Sequence, residues 1–322
     1  MKKQFIADFR ASMPIDTEFL VLEKELRAYQ KDASKQFLQV KLGDKTGSIR
    51  LKVFDSPAEA AKLFEAGDYV SIRGNVQQYR ENLEMVVMPG DIKRLAPTLV
   101  DQKDFVRTTT KDVDAMLAEM KREAENFENP HLKKLLLSFF TDEKFMADFK
   151  RAPAAKIHHH TYVGGLLEHT HGVFTFAKCF ASVFAGLDRE LLLTGAILHD
   201  IGKIKDYEIK DNVEITDFGG LVGHIIAGDE LLKQKISQQP DFPEELALRM
   251  RHMLLSHHNK GEWGSPVEPR FKEAIALHYA DLADSHIAQA VSVEEEETRK
   301  ERTGSWSGFV RDLDRMLYLG KK

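Results

Sequence analysis

The periodicity of the apolar residues changes once along the chain, and this change constrains the fold more than any other feature. From about Phe19 to Leu95, apolar and polar residues alternate, as in strands with one buried face. Beyond a connector at residues 98–110, the apolar spacing becomes that of amphipathic helices. We therefore expect an α+β protein with several domains: a β domain over 1–97, a linker over 98–110 and an all-helical domain over 111–322.

The alternating part of the sequence predicts five strands, at roughly 18–30, 36–43, 47–55, 68–79 and 83–95. A short helix is expected between the third and fourth strands, from Ser56 to Ala66. Five antiparallel strands with a helix after the third are typical of the OB-fold, a small β-barrel that often binds oligonucleotides. Other small barrels give similar patterns, so this assignment needs the observed strand pairing.

Composition narrows the class of protein. Cys179 is the only cysteine, which excludes a disulfide framework and a thiolate metal site and favours a reducing cytoplasm. No run of 18 apolar residues is present, and the N-terminal residues lack the apolar centre of a signal peptide, so we expect no membrane association. The net charge is −5, but residues 1–97 carry 16 basic against 14 acidic side chains. A local basic groove for nucleic acid therefore remains compatible with the acidic total.

Several of the thirteen histidines lie on apolar helical segments, where an unpaired polar group is costly. His199 and Asp200 end a leucine-rich segment, and His169 lies three residues after Leu166. His257 and Asp281 each lie on the stripe of their helix that should face the core. These residues are therefore expected to meet in the interior of the helical domain.

This set predicts a metal site. His169, His199, Asp200 and Asp281 can form one metal position. His224, with His257 or His258, can complete a second position that shares Asp200. Mixed imidazole and carboxylate ligands suit Mn²⁺, Fe²⁺, Co²⁺, Ni²⁺ or Zn²⁺, whereas Mg²⁺ alone would require more oxygen ligands. We expect one or two divalent ions, with Mn²⁺ as the leading candidate.

The ordered pattern His169…His199-Asp200…Asp281 resembles the HD superfamily of metal-dependent phosphohydrolases. The resemblance is carried by the segments HHTYVGGLLEHT, AILHDIGK, GHI and LLSHHNKGEWGSP, and it extends over roughly residues 19 to 290 when the β domain is included. With an OB-like barrel at the N-terminus, the chain is similar to the YhaM-type 3′–5′ exoribonucleases. One difference is Asn259, where the family pattern leads us to expect a glycine.

The resemblance implies an all-helical HD-type domain and a 3′–5′ exoribonuclease that degrades single-stranded RNA to mononucleotides, with single-stranded DNA as a second candidate substrate. Asp200 would hold or deprotonate the attacking water, and Lys203 would neutralise charge on the substrate phosphate. His159 and His160 would contact phosphate at the mouth of the cleft, and Trp263 could stack on a terminal base or anchor its loop.

Two other functions stay open from the sequence. One is an HD phosphohydrolase that acts on a small or cyclic nucleotide, and the other is an oligonucleotide-binding protein without enzymatic activity. In the barrel, Phe37, Phe54 and Tyr79 are candidates for stacking on bases, although each is more readily explained as core filling. A homo-oligomer is compatible with the sequence. The remaining histidines are expected to be structural: His131, His158, His171, His252, His278 and His286.

Overall fold

The computed structural model describes residues 2–29, 32–79, 82–105, 108–155, 162–209, 213–299 and 304–320. These residues form two compact units. The first contains the described part of 1–107 together with 294–307 and 318–320, and the second contains 108–293 and 308–317. The domain limits predicted from the sequence, 1–97, 98–110 and 111–322, remain a proposal.

The first unit contains a six-stranded sheet. Its strands are β1 (Pro14–Tyr29), β2 (Asp32–Asp44), β3 (Gly47–Val53), β4 (Tyr69–Tyr79), β5 (Asn82–Val86) and β6 (Ile92–Leu95), with the short helix α1 (Pro57–Ala60) between β3 and β4. The pairings run β1–β2, β2–β3, β3–β5, β5–β4 and β4–β1, so they return to the first strand. All are antiparallel except β3–β5, which is parallel.

The alternation seen in the sequence produces the core of this unit. Leu38, Val40 and Leu42 of β2 are fully buried, and Leu51 and Val53 of β3 lie beside them. Each fully buried aliphatic side chain of this kind contributes about 1.5–3 kcal/mol relative to an exposed one. One face of each strand therefore supplies the driving force, and the polar residues between them stay on the outside.

Two details of the predicted β domain are wrong. The fifth predicted strand is broken at Pro89–Asp91, where a 3₁₀ turn separates β5 from β6, because proline cannot donate to the ladder. Strand β6 then pairs with β4 rather than continuing along β3. The helix predicted from Ser56 to Ala66 is shortened to α1 and is followed by turns.

The second unit is mostly helical. Its helices are α2 (Val113–Glu125), α3 (Pro130–Phe140), α4 (Glu143–Arg151), α5 (Gly165–Val183), α6 (Arg189–Leu198), α7 (Lys203–Asp206), α8 (Asp217–Leu221), α9 (His224–Ser237), α10 (Glu244–Ser256) and α11 (Lys272–Arg299), of which the part from Glu294 onward belongs to the first unit. Aspartates begin several of them: the Asp188 side chain accepts a hydrogen bond from the backbone N–H of Leu191, which caps α6. The buried faces of α5, α6 and α10 form one continuous core. Cys179 is exposed on α5.

Short strands interrupt the expected all-helical arrangement. A hairpin of β7 (Tyr207–Ile209) and β8 (Val213–Ile215) lies between α7 and α8. The C-terminal end of the segment 111–322, which was predicted to be all-helical, instead forms β9 (Trp306–Val310) and β10 (Arg315–Tyr318). In such short apolar runs, the spacing of the residues cannot distinguish a strand from a helix. Among the described residues, no helix is both long enough and apolar enough to cross a membrane.

Candidate metal centre

Five segments of the helical unit bring their polar side chains to one buried point. His169 lies in the second turn of α5, and His199 and Asp200 form the turn that ends α6. His224 is the first residue of α9, and His257 and His258 follow the last residue of α10. Asp281 lies in α11. The ends of three helices and the faces of two others, α5 and α11, thus supply all the residues that the sequence predicted as metal ligands.

Asp200 lies at the centre of this cluster and is only 1% exposed. Its Oδ2 atom is 3.4 Å from His169 Nε2 and 3.3 Å from His199 Nε2. Its Oδ1 atom is 3.5 Å from both His224 Nε2 and His257 Nε2. The two oxygens of one carboxylate therefore face two different sets of imidazoles.

We call these sets the first and second clusters. The first contains His169, His199 and Asp200, and the second contains Asp200, His224, His257 and His258. Within each cluster, one ligand atom per residue lies within 4.8 Å of all the others. Asp281 adjoins the first cluster, since its Oδ1 atom is 3.2 Å from His169 Nε2 and 3.9 Å from His199 Nε2.

Each imidazole in the clusters is fixed through its Nδ1 atom. Nδ1 of His199 donates to Ala196 O at 2.8 Å, that of His257 to Leu254 O at 2.7 Å, and that of His258 to Trp263 O at 2.7 Å. Nδ1 of His169 bonds Asp284 Oδ2 at 2.7 Å, and Nδ1 of His224 bonds Asp206 Oδ2 at 3.2 Å. All five rings therefore turn Nε2 towards the cluster, which is the arrangement required of a metal ligand.

The polar atoms at the centre fit divalent ions. Asp200 Oδ1, His224 Nε2 and His257 Nε2 are buried and make no hydrogen bond to any described residue. Leaving such atoms unpaired costs about 1–3 kcal/mol each. In the first cluster, the Nε2 atoms of His169 and His199 face each other at 3.1 Å, an approach that requires a proton or a cation between them. Nitrogen and carboxylate donors suit Mn²⁺ and its neighbours.

Burial and local charge shift the pKa values of the cluster in different directions. Burial alone would raise the pKa of Asp200, but Lys203 and His199 outweigh it and hold that pKa well below its usual value. Burial lowers the pKa of His257, and it lowers that of His258 to about 4. Burial opposes protonation of His169, yet hydrogen bonds to Asp200 and Asp281 raise its pKa well above the usual value.

Lys203 lies at the first position of α7, and its Nζ atom is 2.7 Å from Asp200 Oδ2. Burial would lower the pKa of this lysine, but the charge of Asp200 raises it above its ordinary value, so the ammonium stays charged. Trp263 is partly exposed in the loop after α10, with the Lys260 ammonium 4.6 Å from its ring. His159 and His160, predicted as phosphate contacts, lie outside the described residues.

The three barrel aromatics named from the sequence, Phe37, Phe54 and Tyr79, do not fill the core, contrary to the explanation that the sequence favoured. Phe54 is 44% exposed and Tyr79 is 53% exposed. Phe37 is half-buried and lies beside Phe54, with ring centroids 5.7 Å apart, and Tyr29 is 5.4 Å from Phe37. We call Tyr29, Phe37 and Phe54 the aromatic patch. Aliphatic side chains together with Phe9, Phe19 and Phe64 fill the interior between the strands, so the rings of the aromatic patch stay at the surface.

The sequence missed the residues that support the candidate ligands. Asp284 and Asp206 bond the rings of His169 and His224, and His278, which was taken as structural, donates from Nδ1 to His257 O at 2.8 Å. Asp284 follows Asp281 by three residues on α11, a spacing that could have placed both carboxylates on one face. Asn259 has a φ of 70°, a left-handed conformation that asparagine tolerates, so it can replace the expected glycine.

Comparison with known proteins agrees with both parts of the fold. Residues 166–285 match the HD domain, and residues 22–88 match the OB-fold nucleic acid binding domain. The chain thus combines an OB-fold with an HD-type domain, which is a divalent metal-dependent phosphohydrolase domain. This confirms the predicted fold class, although the helical unit also contains short hairpins.

Two curated relatives cover most of the chain. The 3′-5′ exoribonuclease YhaM of Listeria monocytogenes is 30% identical over 98% of this chain and 97% of its own length. That of Bacillus subtilis is 32% identical over 84% of each chain. The chain belongs to the YhaM 3′-5′ exoribonuclease family. A solved structure, the second OB-fold domain of replication protein A from Methanococcus maripaludis, covers 29% of this chain and 93% of its own at 24% identity, with a TM-score of 0.22 that supports no conclusion.

Proposed function

We propose that this protein is a metal-dependent 3′–5′ exoribonuclease that hydrolyses single-stranded RNA to mononucleotides, with Mn²⁺ as its ion. The observation that carries the proposal is the position of Asp200, whose two oxygens face two separate clusters of imidazoles in an HD-type domain. Such a shared carboxylate suits a pair of ions acting on one phosphodiester. The names of the relatives support RNA as the substrate and the 3′ end as the point of attack.

The donor sets assign the metal ligands. His169, His199, Asp200 and Asp281 would hold one ion, and Asp200, His224, His257 and His258 would hold the other. Bound divalent ions would lower the pKa of water towards neutrality and offset the negative charge that develops on the phosphate. Imidazole nitrogens together with carboxylate oxygens favour Mn²⁺ over Mg²⁺, with Co²⁺, Fe²⁺, Ni²⁺ and Zn²⁺ as alternatives.

The reaction forms one bond and breaks one. The oxygen of a water molecule bonds to the phosphorus of the last phosphodiester, and the bond from that phosphorus to the 3′ oxygen of the preceding nucleotide breaks. The products are a nucleoside 5′-monophosphate and a strand shortened by one residue with a free 3′ hydroxyl. Asp200 would orient the water and accept its proton, which would then pass to the 3′ oxygen that leaves. The Lys203 ammonium would offset the charge on the non-bridging oxygens.

Other side chains would hold the strand. We assign His159 and His160 to phosphate contacts and Trp263 to stacking on the terminal base. The aromatic patch, with Phe37 and Phe54 as its predicted members, would stack on bases further along the strand. Its exposure supports this, because a stacked base gains about 1–3 kcal/mol from an accessible ring face. Tyr79, which has the Lys52 ammonium 4.6 Å from its ring, would extend the same surface.

We assign a separate role to each predicted domain. Residues 1–97 would bind the strand, 98–110 would link the parts, and 111–322 would carry out the hydrolysis. Stacking and phosphate contacts do not require a 2′ hydroxyl, so single-stranded DNA would be a second, weaker substrate.

The single cysteine favours a cytoplasmic location. A homo-oligomer is supported by exposed apolar side chains of the C-terminal hairpin: Trp306, Phe309, Met316 and Tyr318.

One experiment tests the activity directly. The full-length protein, stripped of metal and then supplied with Mn²⁺, is incubated with 5′-labelled single-stranded RNA. The expected result is a ladder that shortens one nucleotide at a time, with 5′-mononucleotide as the released product. A circular form of the same RNA has no 3′ end and should remain intact. Cleavage of the circle would contradict the exonuclease assignment.

The same assay separates the remaining functions. Hydrolysis of cyclic or small nucleotides without shortening of RNA would indicate a small-nucleotide phosphohydrolase. Binding of RNA without any hydrolysis, over the full set of candidate ions, would indicate a binding protein. Repeating the assay with each ion at equal free concentration tests the choice of Mn²⁺, and size measurement by light scattering tests the homo-oligomer.

A further inference from the structure

We infer that Asp284 and Asp206 are positioning residues. Asp284 sets the metal affinity of the first cluster, and Asp206 sets that of the second. The inference rests on the proposed metal-dependent function and extends it to residues that were not predicted as ligands. Each cluster contains a single imidazole whose Nδ1 atom is bonded to a carboxylate: His169 in the first cluster and His224 in the second. A carboxylate partner orients a metal-ligating imidazole and makes it a stronger donor.

Asp284 contacts the edge of the His169 ring that faces away from His199 and Asp200. Its Oδ2 atom is 2.7 Å from Nδ1 of His169, while Nε2 of the same ring points towards Asp200 and His199. Gly172, one turn after His169 on α5, makes this contact sterically feasible. A Cβ atom added to Gly172 would overlap the carboxylate of Asp284. A glycine on one helix therefore leaves the space that a carboxylate on another helix occupies.

Asp206 plays the corresponding part for His224. It is the last residue of α7, and its Oδ2 atom lies 3.2 Å from Nδ1 of His224. Its backbone is fixed by two contacts: its carbonyl oxygen accepts from the N–H of Thr216, and a Cβ atom added to Gly219 would overlap the same carbonyl. The carboxylate is buried, so its position is set by packing and not by the solvent.

The other three imidazoles have neutral partners. His199, His257 and His258 donate to the backbone carbonyls of Ala196, Leu254 and Trp263. A carbonyl fixes the ring but carries no net charge, so it strengthens the nitrogen donor less than a carboxylate does. With one charged partner in each cluster, the two positions can be weakened one at a time, although they share Asp200.

The test measures metal affinity and not turnover. Apo protein of the wild type, Asp284→Asn and Asp206→Asn is titrated with Mn²⁺ against a competing chelator, which yields two dissociation constants. Each variant should weaken one of the constants by about 10–100-fold and leave the other within about 3-fold. The asparagine keeps the size of the side chain and removes its charge.

A second set of variants assigns each constant to its cluster. His199→Ala removes a ligand of the first cluster and should leave a single measurable constant. In that background, Asp206→Asn should weaken the remaining constant about 10–100-fold, and Asp284→Asn should not change it. Weakening of both constants by either single variant would overturn the inference, because it would indicate a general structural effect.

Two further variants control for packing. Glu119→Gln removes a carboxylate that bonds His171 Nε2 at 2.9 Å. His171 lies on the same helix as His169 but belongs to neither cluster, so this variant should leave both constants unchanged. Gly172→Ala should reproduce the effect of Asp284→Asn, since the added methyl group displaces that carboxylate. If the wild type binds no metal, the proposed function fails. If it binds two ions and both asparagine variants bind equally well, only this inference fails.

Discussion

At the scale of single residues, the centre depends on the two-sided contacts of Asp200. This carboxylate is the one residue that belongs to both clusters, and its buried Oδ1 atom has no hydrogen bond within the described part of the chain. Lys203 contacts the opposite oxygen, so the two oxygens have different surroundings. Substitutions at these two positions should therefore have different consequences, one for the metal and one for the substrate.

We expect Asp200→Ala to lower the turnover of single-stranded RNA by at least about 100-fold and to reduce the number of bound ions, because both positions lose a ligand. Turnover and the metal content after dialysis are measured on the same preparation. Circular dichroism establishes that the variant is folded. The control is Asp217→Ala, which removes an exposed aspartate at the start of α8 and should change neither quantity. Near-normal turnover of Asp200→Ala would contradict the assignment of the site.

Lys203→Met should behave differently. The substitution keeps the apolar stem and removes the ammonium, so turnover should fall by about 100-fold while the metal content stays unchanged. Lys205→Met is the matched control, because Lys205 lies two residues further along and is 3.8 Å from Glu230 rather than at the centre. An Lys203→Met protein that has lost its metal would show that this lysine supports the cluster and not the substrate.

At the scale of secondary-structure elements, the centre requires close contact between helix ends. Gly202 lies in the turn between α6 and α7, and a Cβ atom added there would overlap the carbonyl of His224 and the backbone nitrogen of Gly228. The start of α9 therefore packs directly against this turn. The contact fixes the distance between Asp200 and the first residue of α9, which is a predicted ligand.

Gly202→Ala should disturb the second cluster by moving the start of α9. We expect the free energy of unfolding of the apo protein to fall by about 1–3 kcal/mol, as for other overpacked interiors. Metal binding by the second cluster should weaken as well. Urea denaturation and the chelator titration measure the two effects. Gly186→Ala is the control, because a Cβ atom there would meet no other atom within 4 Å. Equal stability and equal affinity in both variants would contradict this role for Gly202.

The elements differ in how well the sequence predicted them. Alternating runs such as Leu38–Leu42 predicted their strands correctly because one face of each is buried and the other is exposed. The ligands were predicted to converge because helical spacing identified the inward face of each helix. The C-terminal hairpin was predicted incorrectly because such short apolar runs do not distinguish a strand from a helix. The pattern of apolar residues did not identify Asp284 and Asp206, because these carboxylates bond the rings of His169 and His224 and belong to neither cluster.

At the scale of the whole molecule, the proposed function predicts that the barrel raises the rate of hydrolysis of long RNA and leaves that of small phosphodiesters unchanged. Replacing the three residues of the aromatic patch by alanine removes stacking contacts worth about 1–3 kcal/mol per base. The rate on long RNA should fall by at least about 10-fold, whereas the rate on bis-p-nitrophenyl phosphate should stay unchanged. The ratio of the two rates, measured at equal metal occupancy, is the quantity to compare with the wild type.

Phe184→Ala provides a matched control, since Phe184 is an exposed aromatic residue of the helical unit and should leave the ratio unchanged. An unchanged ratio in the patch variant would mean that the barrel does not bind the substrate through these rings.

The dependence of the rate on salt offers an independent check on the wild type. The rate on RNA at low substrate should fall steeply with salt, with a logarithmic slope of about −0.7 for each phosphate contacted. The small ester should show little dependence.

The exposed thiol of Cys179 makes the native sequence suitable for spectroscopy. It is the only cysteine, so a nitroxide attached to it would report from one place without any mutation. It lies ten residues after His169 on α5, which places its backbone about 15 Å along the helix axis from the backbone of His169. A paramagnetic ion such as Mn²⁺ in the first cluster would broaden the nitroxide spectrum, whereas a diamagnetic ion such as Zn²⁺ would not. The occupancy of the centre could thus be followed in the unmodified chain while RNA is being degraded.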